Sequence, residues 1–385
     1  MKRMLALLLL MVCCVLTGCM SRQLEEQMLV IILGVDETED GIRLVLKIPS
    51  NSASGDSGGD NTSGEDDAMS GGGQMGYLLL EATGGSFEDT MTLLHATTPR
   101  TLNFCQVREV VVGEKLASGD QFAALIAKIY MLPRMRSQAI MVISRGEARE
   151  FVAAQKPYVG IRLSRYVDTT ISNYAGKGFI PTVTLGQAYR DLGMGFVDPL
   201  LVYGAVNRFD QPEYEKMPID SLPGNLPRKS VNKVEMLGAA ATDGVGVSGE
   251  LTGYEMALVH LLRGDVEDLN IDNRDDPSAR ISARSPATLR VDLSTRPATL
   301  SVQLLCVARY APGLAPDAEA VRRRVETDIT QMLRKLQQMR CDGVGFGNIA
   351  VRQCMTMAQW DALNWRDTYS EADVQVEVRL QLREN

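Results

Sequence analysis

The chain has 385 residues, of which 45% are hydrophobic and 23% are charged, and both values are ordinary for a globular protein. They exclude a generally disordered chain, a collagen-like fibre and a membrane protein of many spans. The formal net charge of −8 provides no basis for non-specific binding to nucleic acid. At about 150 residues per domain, the length predicts two or three domains.

The first nineteen residues have the pattern of a bacterial lipoprotein signal. Lys2 and Arg3 precede an apolar run over 4–16 that is too short to cross a bilayer as a helix. Small residues before Cys19, in the order Leu-Thr-Gly-Cys, form a lipobox. We therefore expect 1–18 to be removed as a signal peptide and the Cys19 thiol to receive a diacylglyceryl group, whose two acyl chains hold a protein stably at a membrane. The alternative is an ordinary cleaved signal in which Cys19 has no role.

Residues 19–198 are predicted to form an N-terminal α/β domain, because strand patterns alternate there with amphipathic helix patterns. The tract 51–76 is rich in Gly, Ser and Asp and has few apolar residues, so it predicts a flexible loop. Ser86 predicts the start of a helix that ends near Ala96, and Ser118 the start of another that ends near Tyr130. Strands are predicted at 28–35, 42–48, 77–82, 107–112 and 139–143, and further helices at 146–155, 160–175 and 184–192.

Residues 199–275 are predicted to form a middle domain that includes a proline-rich linker. A strand is predicted over 200–206, and a hairpin with strands at 234–240 and 245–247 follows the linker. Thr252-Gly-Tyr-Glu255 is a capping box that predicts a helix to about Leu262.

Residues 276–385 are predicted to form a C-terminal α+β domain. Alternating apolar residues predict strands over 289–293 and 300–306, and a half-buried antiparallel strand over 374–382. Apolar residues at steps of three and four predict a long helix over 317–340, with Gly343 as its C-cap. The fold class predicted for the whole chain is α+β and multi-domain, with mixed and antiparallel sheets packed with helices in three lobes.

Four cysteines remain in the mature chain besides Cys19, and their scattered spacing does not make a disulfide scaffold. Cys105 and Cys306 are interpreted as small buried hydrophobes in strands. Cys341 and Cys354 are close enough in sequence to form a disulfide, and whether they do is left open.

Two glycine patterns resemble ligand-binding motifs. Gly244-x-Gly246-x-x-Gly249 matches the dinucleotide fingerprint by letter, but Gly246 falls inside a predicted strand, so a hairpin is the better interpretation. Gly343, Gly345 and Gly347 are interpreted as a helix stop with a tight turn, and the alternative is a nest of backbone N–H groups for an anion.

No other pattern predicts a catalytic, metal-binding or cofactor-binding residue. His95 and His260 lie in amphipathic helices and are interpreted as packed or partly exposed side chains. The acidic run 65–67 lies in the glycine-rich tract without the spacing of a calcium loop, so we interpret it as a solvated charge run. Trp360 and Trp365 are interpreted as core anchors, with contact to a partner protein as the alternative.

The sequence resembles the GerC, or GerAC-like, family of lipoproteins, which are the C subunits of bacterial spore germinant receptors. The similarity begins with the lipobox, Arg22, Leu24 and Glu25, and continues over nearly the whole mature chain. The segments that carry it are Ile32–Asp36, Phe87–Leu94, Pro99–Phe104, Val110–Ala117, Leu237–Ala241, Val245–Gly246, Leu251–Glu255, Leu261–Leu262, Cys341–Gly347, Trp360 and Trp365. Met20-Ser21 replaces the Trp-Asp that usually follows the lipid cysteine, so the resemblance is to a divergent member of the family.

The resemblance implies a three-domain protein without enzymatic activity or cofactor. It also implies a location on the outer face of the spore inner membrane, beside two integral membrane partners, the A and B subunits. Loss of 1–18 leaves 38 basic and 48 acidic residues, so the lipid rather than the net charge is expected to hold the mature chain at an anionic membrane. The germinant is not specified by the sequence.

Two other functions are weighed against this one. A solute-binding lipoprotein of a transporter needs two lobes of parallel sheet around a cleft, which the antiparallel pattern after residue 289 disfavours. A secreted hydrolase needs a nucleophile paired with a base, and no such pair is predicted. The sequence also has no His-Glu-x-x-His motif.

Overall fold

A computed structural model describes residues 26–49, 76–157, 161–208, 218–228, 230, 232–265, 271–272 and 279–384. The predicted signal peptide, Cys19 and nearly all of the tract 51–76 lie outside the described residues. Among the described residues, no helix has both the length and the apolar character that a membrane span requires.

The strands are β1 (Gln27–Leu29), β2 (Ile32–Thr38), β3 (Gly41–Pro49), β4 (Tyr77–Gly84), β5 (Thr101–Asn103), β6 (Glu109–Gly113), β7 (Ile140–Arg145), β8 (Leu200–Val206), β9 (Val234–Thr242), β10 (Val247–Leu251), β11 (Ile271–Asp272), β12 (Ala279–Ala283), β13 (Thr288–Asp292), β14 (Thr299–Tyr310) and β15 (Asp373–Glu384).

The helices are α1 (Phe87–Thr97), α2 (Glu114–Ala117), α3 (Phe122–Tyr130), α4 (Ala148–Ala154), α5 (Leu163–Ala175), α6 (Leu185–Met194), α7 (Gly253–Arg263), α8 (Ala318–Gln338), α9 (Gly347–Ala350), α10 (Met357–Leu363) and α11 (Trp365–Glu371). Pro218–Asp220 and Val351–Gln353 form 3₁₀ turns.

Eight strands form a mixed sheet in the order β10-β9-β8-β7-β6-β2-β3-β4. Its centre, β8-β7-β6-β2, is parallel, and the outer strands pair antiparallel. The central strands are apolar on both sides because helices cover both faces: α1, α3 and α6 pack on one face, and α4 and α5 on the other. This sheet contains the strands predicted for the N-terminal and middle domains, and the division of the chain at 198 and 275 remains a prediction.

The second sheet has five strands, with β14 at its centre and α8 packed on one face. The prediction that β15 is antiparallel is wrong, because β15 pairs parallel with β14 along all twelve of its residues. Alternating apolar residues identify the buried face of a strand but not its direction. The connection through α8 returns the chain to the end of the sheet where β14 began, as a β-α-β crossover requires.

Several local predictions are confirmed. Both bonds of the capping box between Thr252 and Glu255 are present at the start of α7. Gly244 lies in the turn between the antiparallel strands β9 and β10 with a φ of 85°, so the hairpin interpretation is correct and the dinucleotide fingerprint is excluded. The second strand begins at Val247 and not at Val245, so the prediction that Gly246 lies inside a strand is wrong. The predicted alternation of strands and helices, and the mixed sheets packed with helices, are also present.

Two helix boundaries were predicted wrongly. Ser118 follows the short helix α2 instead of starting α3, because a polar turn over 118–121 separates the two. Helix α8 ends at Gln338, so Gly343 is not its C-cap. The left-handed backbone conformation expected of a C-cap glycine is taken by Arg340, with a φ of 55°. Gly343 instead lies where a Cβ would meet the side chain of Leu200, so close packing accounts for this glycine.

Candidate functional site

The segment Cys341–Gly347 folds around the carboxylate of Asp342, which is 1% exposed. Its Oδ1 accepts the backbone N–H groups of Gly345 at 2.9 Å and Phe346 at 3.0 Å. Its Oδ2 accepts the N–H of Gly347 at 2.5 Å and the indole N–H of Trp365 at 3.1 Å. The glycine-rich segment therefore does form a nest of N–H groups, but the chain's own carboxylate fills it.

A second buried carboxylate joins this nest to the N-terminal sheet. Asp198, two residues before the start of β8, accepts the backbone N–H of Asp342 at 2.9 Å and a hydrogen bond from the Arg366 guanidinium at 3.0 Å. The Asp198 N–H in turn donates to the carbonyl oxygen of Asp342 at 3.3 Å. We call Asp198, Asp342, Trp365 and Arg366 the carboxylate joint, since they connect residues that are distant in sequence.

Burial dominates the electrostatics of the carboxylate joint. It raises the pKa of Asp342 to about 6, against the lowering effect of the four N–H donors. Burial also raises the pKa of Asp198, and the charge of Arg366 opposes this. Because each oxygen of Asp342 already accepts two hydrogen bonds, this carboxylate is a structural brace rather than a group poised to react with a substrate.

Aromatic side chains enclose the joint. The rings of Trp360 and Trp365 stack with centroids 6.0 Å apart, and Phe196 meets Trp360 edge-on at 5.4 Å. Trp360 is 7% exposed and Trp365 is 5% exposed, so the prediction that both are core anchors is confirmed. Since Phe196 precedes β8, these rings also pack the C-terminal residues against the N-terminal sheet.

A further polar cluster, which sequence reasoning missed, lies inside the N-terminal sheet. Lys47 and Glu109 flank Ile32 in register on the two neighbouring strands, and both are fully buried. The Lys47 ammonium donates to the carbonyl oxygens of Val152, at 2.7 Å, and Gln155 at the end of α4. The Gln155 amide donates to both carboxylate oxygens of Glu109 at 2.9 Å.

Burial shifts both charged groups of this cluster towards neutrality. It lowers the pKa of Lys47 to about 7 and raises that of Glu109 to about 7. The sequence signal for this cluster was a charged residue, Lys47 or Glu109, inside an otherwise apolar strand pattern. That signal does not identify the hydrogen-bond partners, which lie at the end of α4.

The two histidines differ in environment. His260 is 3% exposed, with its Nδ1 2.7 Å from Asp265 Oδ1 and its Nε2 3.1 Å from the carbonyl oxygen of Ile180, whereas His95 is exposed. Within the described ranges, no group of three or more His, Cys, Asp or Glu side chains is arranged to hold a metal ion.

The environment of one cysteine, Cys105, differs from the prediction. Cys306 is buried in β14 as expected, but Cys105 is exposed in a turn after β5, because the strand ends at Asn103. Cys341 is buried, Cys354 is half-buried, and both are free thiols in this structure.

Comparison with known proteins identifies the family. Residues 21–206 match the spore germination protein N-terminal domain, and 238–385 match the spore germination B3/GerAC-like C-terminal domain. The chain belongs to the GerAC-like spore germination family. The carboxylate joint therefore connects its two family domains, because Asp198 lies in the first and Asp342, Trp365 and Arg366 lie in the second.

Two individual proteins are similar to this chain over most of its length. YfkR of Bacillus subtilis (strain 168), whose name assigns it to spore germination, is 21% identical over 95% of this chain and 92% of its own length. A crystal structure of the GerBC protein has the same fold, with a TM-score of 0.50 at 12% identity over 91% of this chain and 96% of that one.

Proposed function

We propose that this chain is the lipid-anchored, non-catalytic C subunit of a spore germinant receptor and is needed for nutrient-triggered germination. The observation that carries the proposal is the order of the sequence signals. The lipobox ends at Cys19, and the match to the family begins at residue 21. The cysteine that we propose to be lipidated therefore lies two residues before the start of the family's first domain.

The proposed lipid anchor determines where the protein is located. A diacylglyceryl group on Cys19 would hold the body on the outer face of the spore inner membrane, since two acyl chains bind a bilayer stably. Confinement to this thin layer raises the effective concentration of the chain beside the integral membrane A and B subunits. A weak contact with those subunits is then sufficient for assembly.

The carboxylate joint favours a structural role for the body. Asp342 accepts backbone N–H groups and the Trp365 indole, and Asp198 accepts a backbone N–H and the Arg366 guanidinium. This arrangement supports a firm connection of the two family domains. A rigid connection between the two family domains is consistent with a subunit that has a structural role in receptor assembly.

The test is complementation of a spore-forming host that lacks this gene. Cys19→Ala is expected to remove the protein from the spore inner membrane and to weaken germination by nutrients. Cys105→Ala is the matched control, because Cys105 is an exposed free thiol outside the lipobox. Normal germination with Cys19→Ala at normal protein level would contradict the proposal.

A further inference from the structure

The strand β15 lies at one edge of the second sheet. All twelve of its residues pair with one side of β14, whereas β12 and β13 pair with the other side of β14. Among the described residues, no strand pairs with the outer side of β15. Residues 266–270 and 273–278, which lie outside the described ranges, flank β11 in sequence, and β11 pairs with β12 on the far side of β14. We call the outer side of β15 the open edge.

Alternate backbone groups of β15 point outward at the open edge. The N–H of Asp373 donates to the carbonyl oxygen of Ala298, directly before β14, at 2.8 Å, so the odd-numbered residues face β14. The N–H of Val378 points away from β14 and donates to the Glu326 carboxylate of α8 at 2.9 Å. Within the described part of the chain, this is the only hydrogen bond that an outward N–H of β15 makes. The residues with outward groups are Val374, Val376, Val378, Leu380 and Leu382.

An unpaired edge of this length is unusual. Natural sheets protect their edges with short strands, proline or bulges, and the commonest strand length is about five to six residues. β15 contains no proline, and its register with β14 continues without a bulge over all twelve residues. Val374, Val376 and Leu380 are only half-buried, and Leu382 is 38% exposed. The open edge therefore offers both hydrogen-bonding groups and apolar side chains to a further strand.

The charges on the exposed face of β15 change sign along the strand. Asp373 and Glu377 lie in its first half, and Arg379 and Arg383 lie in its second half. An antiparallel second copy of β15, in the register centred on Val378, places each Glu377 opposite Arg379 and each Asp373 opposite Arg383. A register centred one residue earlier opposes Glu377 to itself, and one centred one residue later opposes Arg379 to itself. Since like charges directly opposite each other are destabilising, the charges select the register centred on Val378.

The neighbouring strands extend this charge pattern across the sheet. Arg280 of β12, Arg309 of β14 and Arg383 of β15 lie abreast in one row. Near the other end of β15, Asp292 of β13 and Asp373 of β15 lie in one row on either side of β14. The register described above brings the arginine row of each copy into line with the acidic row of the other. The complementarity therefore involves three strands of each sheet.

We propose that the open edge pairs with the open edge of a second copy of this chain, so that the two five-stranded sheets join across a two-fold axis at Val378. The outward groups of the two strands would then form about ten backbone hydrogen bonds. In this pairing, the N–H of Val378 exchanges the Glu326 carboxylate for the carbonyl oxygen of Val378 of the second copy. A contact of this symmetry uses the same surface on both copies and therefore ends at a dimer. The pairing does not require the lipid anchor of the proposed function, although confinement to one membrane would raise the effective concentration of the two copies.

The proposal is tested with the mature chain carrying Cys19→Ser, which cannot receive a lipid. Sedimentation velocity is measured at up to about 0.2 mM, because contacts of this size are weak, and we expect a monomer–dimer equilibrium. Glu377→Arg opposes like charges at two places in the two-fold pairing, so it should weaken the dimer at least about tenfold, and Arg379→Glu should do the same. The double variant Glu377→Arg with Arg379→Glu exchanges the two charges and should restore the dimer.

The matched control is Glu88→Arg, which makes the same change of charge at an exposed glutamate that also pairs with a cation, in the other family domain. Circular dichroism and the thermal midpoint verify that every variant is folded. A chain that is monomeric at every concentration, or equal weakening by Glu88→Arg and Glu377→Arg, would overturn the proposal. So would a dimer that the double variant fails to restore.

Disulfide formation tests the register independently. A chain with Glu377→Cys is mixed with a chain with Arg379→Cys, and both carry Cys105→Ser to remove the exposed thiol. In the proposed register these two positions face each other with Cα atoms about 4.5 Å apart, which permits a disulfide. We expect the cross-link in the mixture and in neither variant alone, and a cross-link that forms equally in all three samples would contradict the register. Since these assays contain no lipid and no other subunit, failure here leaves the proposed function standing.

Discussion

The substitution Gly347→Ala tests the carboxylate joint most simply. Gly347 donates its N–H to Asp342 at the point where three parts of the chain meet. A Cβ at this position would overlap the carbonyl oxygen of Phe196 and come within 2.6 Å of the indole nitrogen of Trp365. Neither atom lies at the end of a flexible side chain, so the backbone or the indole ring has to move.

The expected loss of stability follows from these contacts. Overpacking at a close contact costs about 1–3 kcal/mol. Displacement of the Trp365 indole would also break its hydrogen bond to the buried Asp342 carboxylate, which contributes about 1.5–3 kcal/mol as a bond to a charged group. We therefore expect Gly347→Ala to lower the free energy of unfolding by about 3–5 kcal/mol.

Urea denaturation followed by tryptophan fluorescence is the assay, because the only two tryptophans of the chain, Trp360 and Trp365, both lie at the joint. Gly193→Ala is the matched control. Gly193 lies in α6, and a methyl group added there would meet no atom within 4 Å, so alanine should raise stability by about 0.5–1 kcal/mol. The reasoning is refuted if Gly347→Ala costs less than about 1 kcal/mol or shifts the transition in the same direction as the control.

Three further predictions concern the buried polar and aromatic groups. The raised pKa of Glu109 makes its contribution to stability full below pH 4.5 and lost as the pH rises through about 7. Glu109 should therefore contribute up to about 3 kcal/mol to the fall in the free energy of unfolding of the wild type over this range, in addition to the fall caused by the raised pKa values of Asp342 and Asp198. Denaturation at several pH values should show a smaller fall in Glu109→Gln, and an equal fall would contradict the assignment. Arg366→Ala leaves the buried Asp198 carboxylate without its cation and should cost about 2–3 kcal/mol in urea denaturation, whereas Arg352→Ala should cost less than about 0.5 kcal/mol. Trp360→Ala should cost about 3–5 kcal/mol in the same assay, and a loss below about 1 kcal/mol would show that this ring does not anchor the core.

Elements whose signals are local could be predicted from the sequence. The strand predicted over 200–206 is β8, and the capping box of Thr252 and Glu255 starts α7 where it was expected. Asp317 likewise caps the start of α8 through its side chain. In each case, the residues that determine the element lie within a few positions of it.

Features that depend on distant residues could not be predicted in this way. The direction of β15 is set by the path through α8, and the alternation of its apolar residues carries no information about that path. The glycines after α8 were interpreted as a helix stop with a tight turn, with a nest only as the alternative. The carboxylate that fills the nest and the contact with Asp198 depend on the tertiary fold. The partners of Lys47 come from the end of α4, more than one hundred positions along the chain.

The central claim is that Cys19 anchors this GerAC-like subunit to the membrane through a lipid. The most direct test is mass spectrometry of the amino-terminal peptide from native protein extracted from spore membranes. We expect the peptide to begin at Cys19 and to carry the mass of a diacylglyceryl group on its sulfur. An unmodified Cys19, or a chain that still retains residues 1–18, would contradict the claim.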